Sequence, residues 1–187
     1  MVRLVLMRSI ISCSITRVRV LVVVLFGVTG AQAEDFRDKV LFMRHALAPG
    51  TGDPKHFLLG DCNTRRNLSA SGREQARNIG RRLKSRGIRF SKIDTNQWCR
   101  CRETGGLRGF GKYHEFIGLH SFYEDHFNQD HMLSLLRAKL SEVSTYEDPV
   151  LMATHFVTIF GITGETVGSG DMMLFDPVTG ISKIFHL

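Results

Sequence analysis

The sequence predicts an α/β fold, a three-layer α/β/α sandwich with a largely parallel central sheet. Short apolar runs typical of buried strands alternate along the chain with segments of helical periodicity, and this order builds a parallel sheet covered by helices. Two of the runs end abruptly at a histidine, at His45 and His155. With 187 residues, 43% of them apolar, the chain can form one domain with a substantial core and is too apolar for wholesale disorder.

The first 33 residues have the pattern of a secretory signal peptide. They contain four arginines and no acid, then an apolar run from Val20 to Val28, and then Ala31-Gln32-Ala33. This pattern is typical of export and cleavage, and the apolar run is shorter than the roughly 20 residues of a membrane-spanning helix. We therefore expect a signal peptide at 1–33, a single domain at 34–187, and a periplasmic or secreted protein with no stable membrane anchor after cleavage. An uncleaved anchor or a wrongly chosen start codon is the alternative.

The net charge of +7 depends largely on that N-terminal segment. The chain has 25 basic and 18 acidic residues, and because the first 33 residues hold four of the basic ones and no acid, the remainder carries only +3. Such a small excess is a weak argument for a nucleic-acid partner, and none is expected.

Three cysteines follow the predicted signal peptide: Cys62, Cys99 and Cys101. An oxidising compartment favours disulfides, and three cysteines allow one bridge and one free thiol. Cys99 and Cys101 are too close in sequence for an ordinary bridge, so Cys62 is expected to pair with one of them, and the choice stays open. One Cys-x-Cys with a distant third cysteine lacks the paired spacing of a zinc site, and no metal site is expected.

The first elements are a buried strand at 39–43, a loop rich in glycine and proline to about Leu68, and a helix at 71–86. Ser71 and Glu74 are spaced as a capping box at the start of that helix. The later elements are predicted from the same two periodicities. They are a strand at 91–95, a helix at 100–107 weakened by its glycines, a helix at 131–143, a buried strand at 149–154, a helix at 157–163, and closing strands at 171–175 and 181–186.

Polar residues at the ends of these strands form the candidate site. In an open α/β sheet, ligands bind at the carboxyl ends of the strands, where Arg44, His45 and His155 are expected. Arg100 follows the strand at 91–95 and could join them. Guanidinium groups match phosphate oxygens in pairs, and a neutral imidazole can act as a nucleophile. The pattern therefore predicts an anion site that contains a nucleophile.

Four segments in order extend this interpretation: Leu41-Phe-Met-Arg44-His45-Ala46, Asn67-Leu-Ser-Ala-Ser-Gly-Arg-Glu-Gln-Ala76, Thr95-Asn-Gln-Trp-Cys-Arg100-Cys-Arg-Glu-Thr104, and Met152-Ala-Thr154-His155. They resemble, in turn, the Arg-His-Gly motif, the Leu-Thr/Ser-x-x-Gly-x-x-Gln-Ala helix start, the Ser-x-x-x-x-Arg-x-x-x-Thr segment and the late Gly/Thr-His motif of the histidine phosphatase superfamily, also called the phosphoglycerate mutase-like fold. The resemblance covers essentially the whole of residues 39–187.

The resemblance implies a metal-independent phosphatase that needs no cofactor and hydrolyses a phosphomonoester. His45 would be the nucleophile that becomes a phosphohistidine, Arg44 and Arg100 would contact the phosphoryl oxygens, and His155 would supply a further donor. Arg66 is a second-rank candidate for substrate binding. The substrate would be a phosphorylated small molecule or a phosphorylated protein.

Three departures from the family pattern keep an alternative open. Ala46 stands where the family has glycine, and Gly105-Gly106 stands where relatives carry good helix formers. No carboxylate follows His155, where the acid phosphatase branch keeps its proton donor. Glu124 lies roughly where the mutase branch has its glutamate and is a candidate for that acid, although a role as a surface loop residue fits it equally well. The alternative function is a non-catalytic phosphate- or phosphosugar-binding member of the same fold.

Four histidines between the central helices form a loose cluster in the sequence: His114, His120, His126 and His131. Their separations are irregular and include no pair at the i, i+4 spacing that places two ligands on one helix face. We therefore expect surface histidines here and no metal centre.

Overall fold

The computed structural model describes residues 36–106, 110–143 and 146–187, and the predicted signal peptide lies outside them. Six strands and four α-helices occur within these residues. The strands are β1 (Val40–Arg44), β2 (Lys92–Thr95), β3 (His114–Glu115), β4 (Val150–Thr154), β5 (Met172–Phe175) and β6 (Ser182–Phe185). The helices are α1 (Ala70–Ser85), α2 (Cys99–Gly105), α3 (Gln129–Leu140) and α4 (Phe156–Thr163).

The six strands form one sheet in the order β3-β2-β4-β1-β5-β6. The first four strands in the chain pair in parallel, whereas β5 is antiparallel to both β1 and β6. The predicted fold class, an α/β sandwich with a largely parallel sheet, is confirmed. None of the helices within the described ranges has the length and apolar character needed to cross a membrane.

Alternating side chains of β1 build a core on each face of the sheet, because successive residues of a strand point to opposite faces. Leu41 and Met43 belong to one buried cluster, which includes Leu83 of α1. Val40 and Phe42 belong to the other, on the side of α3 and α4. All of these strand residues are fully buried, and burial of each such side chain contributes about 1.5–3 kcal/mol before entropy is counted.

The start of α1 differs from the predicted capping box. Ser69, not Ser71, is the N-cap, and its hydroxyl accepts a hydrogen bond from the Gly72 backbone N–H. Glu74 does not reach back to the cap but forms ion pairs with Arg77 and Arg81 along the exposed face. The same serine-rich start offers two possible caps, and the path of the preceding loop selects the earlier one.

A glycine in α1 brings the loop after β1 close to the helix. A Cβ built on Gly72 would lie 2.0 Å from the carbonyl oxygen of Leu47, so only glycine allows this approach. Gln75 holds the same loop, since its side-chain oxygen accepts from the Leu47 backbone N–H and its amide donates to the Ser169 carbonyl. The Gly-x-x-Gln spacing of the second motif therefore positions the chain that follows His45.

Gly105, the last residue of α2, allows the helix to lie close to the sheet. A Cβ on Gly105 would be 3.3 Å from the Cβ of Ala153 and 3.4 Å from that of Thr95. Within this short helix the Thr104 hydroxyl donates to the Arg100 carbonyl and accepts from the Ala46 backbone N–H. The Arg-x-x-x-Thr part of the third motif, Arg100 to Thr104, thus links α2 directly to Ala46, the residue after His45.

One of the described strands was not predicted. β3 has only two residues, both exposed, and pairs in parallel with the edge of β2. A two-residue strand shows no alternation of apolar and polar residues, so the sequence carries no signal for it.

Candidate active site

The pairing of β1 with β4 brings the two strand-end histidines together. In the parallel register Arg44 lies opposite Thr154, so His45 and His155 leave the sheet side by side. Their ring centroids are 5.4 Å apart and the rings meet edge to face. The backbone N–H of His45 donates to the Thr154 carbonyl at 2.9 Å, which fixes the step from strand to loop.

His45 is held as a neutral imidazole with one defined tautomer. Its Nδ1 lies 2.8 Å from the carbonyl oxygen of Ala46, which can only accept, so Nδ1 carries the proton and Nε2 keeps its lone pair. Burial, together with the positive charges of Arg100, Arg66 and Arg44, lowers the pKa of His45 to about 3, although the hydrogen bond to Ala46 opposes this shift. A neutral imidazole with a free Nε2 is the form that a nucleophile requires.

Three arginines surround this histidine. Arg44 donates through Nη1 to the Val167 carbonyl at 2.8 Å and lies over the ring of Phe156. Arg66 donates through Nε to the Gly52 carbonyl and through Nη1 to the Ala48 carbonyl. The side chain of Arg100 is 3% exposed. The Nε atoms of Arg44 and Arg100 are buried and have no hydrogen-bond partner.

All five of the predicted arginines and histidines line one cavity of about 150 Å³. The full lining consists of Arg44, His45, Gly50, Thr51, Gly52, Asp53, Arg66, Arg100, Ser121, Tyr123, His126, His155 and Phe156. The structure therefore brings together Arg44, His45, Arg66, Arg100 and His155, whereas Glu124 is not part of the wall. Buried N–H groups without a partner are unfavourable unless something supplies an acceptor, and an anion in the cavity would supply one.

Asp53, the one carboxylate in the wall, was not predicted from the sequence. It lies in the glycine- and proline-rich loop after β1, and its two oxygens accept from Nη1 and Nη2 of Arg100, both at 2.9 Å. Burial alone raises the pKa of Asp53, but the hydrogen bonds from Arg100, Trp98 and Arg66 outweigh burial and hold this pKa below its usual value. A loop has no periodicity to single out such a residue, and its place within Gly52-Asp53-Pro54 is the only local signal.

His155 is also neutral, and a buried thiol contacts its second nitrogen. Its Nε2 lies 3.4 Å from Sγ of Cys101, and burial holds the pKa of His155 well below 6.5. Burial raises the pKa of the Cys101 thiol to about 12, so the thiol stays protonated and can donate to Nε2. Nδ1 is then the N–H of His155 and is available as a donor.

The acidic segment after β3 lies at the cavity rim. Glu124 has a left-handed backbone with φ 57°, and its side chain is 50% exposed. A Cβ built on Gly52 would lie 2.8 Å from its Oε2, and Nε2 of His126 is 3.6 Å from the same oxygen. Glu124 thus borders two residues of the wall, and its role as the acid stays a prediction.

The expectation of four surface histidines is wrong for two of them. His120 is 2% exposed and packs edge to face against Trp98 and Phe127, and His126 lines the cavity. His114 and His131 are exposed as expected. Irregular spacing argued correctly against shared helix faces, but it carries no information on which loop histidines a neighbouring aromatic cluster will cover.

The disulfide joins Cys62 to Cys99 and leaves Cys101 as a buried free thiol. This settles the choice that the sequence left open. The bridge connects the loop that contains Asp53 and Arg66 to the first residue of α2, next to Arg100. Nη2 of Arg102 lies 3.2 Å from Sγ of Cys99.

Because three histidines are buried in the neutral form, we expect the stability of the fold to fall in acid. Burial lowers the pKa of His45 to about 3 and that of His120 to about 4, and holds the pKa of His155 well below 6.5. Between pH 6.5 and these values the unfolded chain binds protons that the folded chain does not. The stability that depends on these neutral histidines is therefore fully present above pH 6.5. As the pH falls below 6.5, the free energy of unfolding decreases by up to about 1.4 kcal/mol per pH unit for each histidine.

His120 allows a test of this effect outside the cavity wall. We expect His120→Phe to reduce the slope of unfolding free energy against pH by up to about 1.4 kcal/mol per unit between pH 6 and 5. Urea unfolding at a series of pH values measures the slope. His131→Gln, at an exposed position, is the matched control and should leave the slope unchanged. Equal slopes of unfolding free energy against pH for the wild type and His120→Phe would contradict the prediction.

No protein-family model matches the chain, and no curated protein sequence matches it. Solved structures do match. The protein histidine phosphatase SixA in complex with tungstate is 17% identical and has a TM-score of 0.51, with 79% of this chain and 94% of that chain covered. The putative phosphohistidine phosphatase SixA from Agrobacterium tumefaciens is 20% identical with a TM-score of 0.54, and the match covers 80% of this chain and 96% of that one.

The ecdysone phosphate phosphatase of Bombix mori, in complex with tungstate, is 11% identical and has a TM-score of 0.56, and the match covers 81% of this chain and 93% of that chain. All three matches cover most of both chains, so the likeness concerns the whole fold and not one motif.

Proposed function

We propose that this chain, which has the fold of the histidine phosphatase superfamily, is a phosphatase that hydrolyses a phosphomonoester through a phosphohistidine on His45. The observation that carries the proposal is the composition of the cavity. A neutral imidazole with a free Nε2 shares one small cavity with two arginines whose buried Nε–H groups lack an acceptor. A phosphoryl group would supply acceptors to both arginines while its phosphorus faces the nucleophile.

The chemistry divides into two steps at His45. Nε2 attacks phosphorus and forms a P–N bond, while the bond from phosphorus to the ester oxygen breaks and that oxygen leaves with the electron pair and takes up a proton. Water then attacks the same phosphorus and breaks the P–N bond, whose electron pair returns to Nε2, while one proton of the water passes to the group that protonated the ester oxygen. This step releases inorganic phosphate and restores the neutral imidazole. Two steps of this kind replace one more difficult direct hydrolysis.

The charges of the wall suit a phosphoryl dianion. Arg44, Arg66 and Arg100 carry three positive charges, and the ionised Asp53 carries one negative charge. The net charge of two positive units matches a phosphomonoester, which carries between one and two negative charges at neutral pH. Phosphoryl transfer depends mainly on positioning and on stabilising this spread charge, which arginines provide, so the proposed mechanism uses no metal.

The size of the cavity bears on the substrate class. A volume of about 150 Å³ is well below the roughly 300–1,000 Å³ that encloses a whole small-molecule ligand. It encloses the phosphoryl group and leaves the rest of the substrate at the rim, beside Tyr123 and Phe156. A phosphorylated small molecule or a phosphorylated protein would both fit this arrangement. The three similar structures described above are a protein histidine phosphatase, a putative phosphohistidine phosphatase and an ecdysone phosphate phosphatase, which is in keeping with such variety.

The proposal also covers the compartment in which the enzyme works and the residue that protonates the leaving group. We infer that the enzyme works after export, and the Cys62–Cys99 bridge supports an oxidising compartment. Glu124, next to His126 at the rim, is the proposed proton donor to the leaving group.

Turnover together with a trapped intermediate tests the function. We expect the purified protein to hydrolyse a chromogenic phosphate ester in the presence of a metal chelator, and a brief reaction with radiolabelled ester to leave an acid-labile, base-stable phosphoprotein. Binding of inorganic phosphate without turnover of a broad panel of esters would contradict the proposal and favour the non-catalytic phosphate-binding interpretation.

A further inference from the structure

The carboxylate of Asp53 is saturated with hydrogen bonds inside the wall of the cavity. Besides the two bonds from Arg100, Oδ2 accepts from the indole N–H of Trp98 at 3.0 Å and Oδ1 accepts from the backbone N–H of Arg66 at 3.0 Å. The side chain is 3% exposed. Four donors match the four acceptor positions of a carboxylate, so Asp53 has no capacity left for a ligand.

The hydrogen bonds of Arg100 leave one edge of its guanidinium unpaired. A guanidinium has five N–H groups in a plane. One N–H on Nη1 and one on Nη2 point forward to Asp53, and the second N–H of Nη1 donates to the Arg66 carbonyl at 3.0 Å. The N–H of Nε and the second N–H of Nη2 remain, and these two point in parallel from the same edge of the planar group. Nε is buried without a partner, in a residue that lines the cavity.

We propose that Asp53 is a positioning residue, which turns Arg100 so that its Nε and Nη2 edge faces the phosphoryl group. The inference rests on the proposed function and adds a role to a residue that itself makes no contact with the substrate. With the forward pair of N–H groups bound to Asp53, the guanidinium cannot rotate about its own axis without breaking two charged hydrogen bonds between buried side chains. The phosphoryl group therefore meets a fixed pair of donors.

A different role for Asp53 would be purely structural. Its bond from Trp98 joins the loop after β1 to the start of α2, and its bond from Arg66 connects two parts of that loop. Loss of these links alone could loosen the loop. The two roles differ in their dependence on Arg100. A positioning residue acts only through Arg100, whereas a structural link lowers activity whether or not Arg100 is present.

A double-mutant cycle on the full protein distinguishes the two roles. We expect Asp53→Ala to reduce kcat/KM for a chromogenic phosphate ester by about 100-fold, mainly in kcat, since misplacement of a group by about 1 Å has effects of that size. In an Arg100→Ala background the same change should reduce kcat/KM by less than about threefold. Inhibition by vanadate should weaken in each single variant and not further in the double variant. Additive effects in the cycle would overturn the proposal.

Two further variants keep the test decisive. Asp61→Ala removes the hydrogen bond from the Asn63 backbone N–H in the same loop without contact to Arg100, and it should leave turnover within about twofold of wild type. An equal loss of activity in Asp61→Ala would favour the structural role and overturn the proposal. Asp53→Asn keeps the side-chain volume and one acceptor oxygen, and should lie between wild type and Asp53→Ala; it replaces the alanine variant in the cycle if that variant does not fold.

Failure of the positioning role of Asp53 can be distinguished from failure of the proposed phosphatase function. If no ester is turned over by the wild type, the proposed function fails. Titration with inorganic phosphate still tests the role of Asp53, because Asp53→Ala and Arg100→Ala should then weaken phosphate binding non-additively. Unchanged phosphate affinity in Asp53→Ala would contradict the positioning role in that case.

Discussion

Replacement of His45 with alanine is expected to reduce turnover of a phosphate ester by at least about 1,000-fold, because no other group in the cavity can take over the attack on phosphorus. Two other imidazoles line the cavity. Nε2 of His155 is already occupied by the Cys101 thiol, and His126 lies at the rim beside Glu124. Steady-state rates and the trapped phosphoprotein measure the effect, and both should be lost together.

The variant should still bind the anion, which separates loss of the nucleophile from loss of the fold. The His45 side chain makes one hydrogen bond, to the Ala46 carbonyl, and the arginine contacts to Val167 and Asp53 do not involve it. We therefore expect inorganic phosphate to bind His45→Ala within about tenfold of its affinity for wild type. His131→Ala, at an exposed position on α3, is the matched control. Turnover by His45→Ala equal to that of wild type would exclude His45 as the nucleophile.

Removal of the disulfide is expected to have the largest effect on stability. The bridge joins cysteines 37 residues apart, and the loss of chain entropy that such a loop imposes on the unfolded state corresponds to about 4 kcal/mol. For a domain of this size a change of that magnitude lowers the melting temperature by about 8–16 °C. Thermal unfolding of the Cys62→Ala, Cys99→Ala double variant, compared with wild type, measures the effect.

A reductant supplies the control for this prediction. It should lower the melting temperature of the wild type towards that of the double variant and leave the double variant unchanged. Activity should fall as well, since Cys99 directly precedes Arg100 and Cys62 lies in the loop of Asp53 and Arg66. Equal melting temperatures for the oxidised wild type and the double variant would contradict a stabilising role of the bridge.

Much of the fold was predictable because its signals are local. Buried strands and amphipathic helices repeat with periods of two and 3.6 residues, and eight of the described strands and helices were predicted with boundaries within two residues. Helix α3 was also predicted, with a C-terminal end three residues too late. The signal peptide at 1–33 stays a prediction from the same kind of local pattern.

The sequence by itself determined the parallel sheet and the residues that end its strands, Arg44, His45 and His155, together with Arg100 at the start of the next helix. These follow from strand periodicity and from motif spacing, which a chain carries in its own order. Only the tertiary structure decided that Cys62 pairs with Cys99, that Ser69 caps α1, and that Asp53 and His126 join the wall of the cavity. The physical reason is common to all four: each depends on the path of a loop, and a loop path is determined by contacts with distant parts of the chain and leaves no period in the sequence.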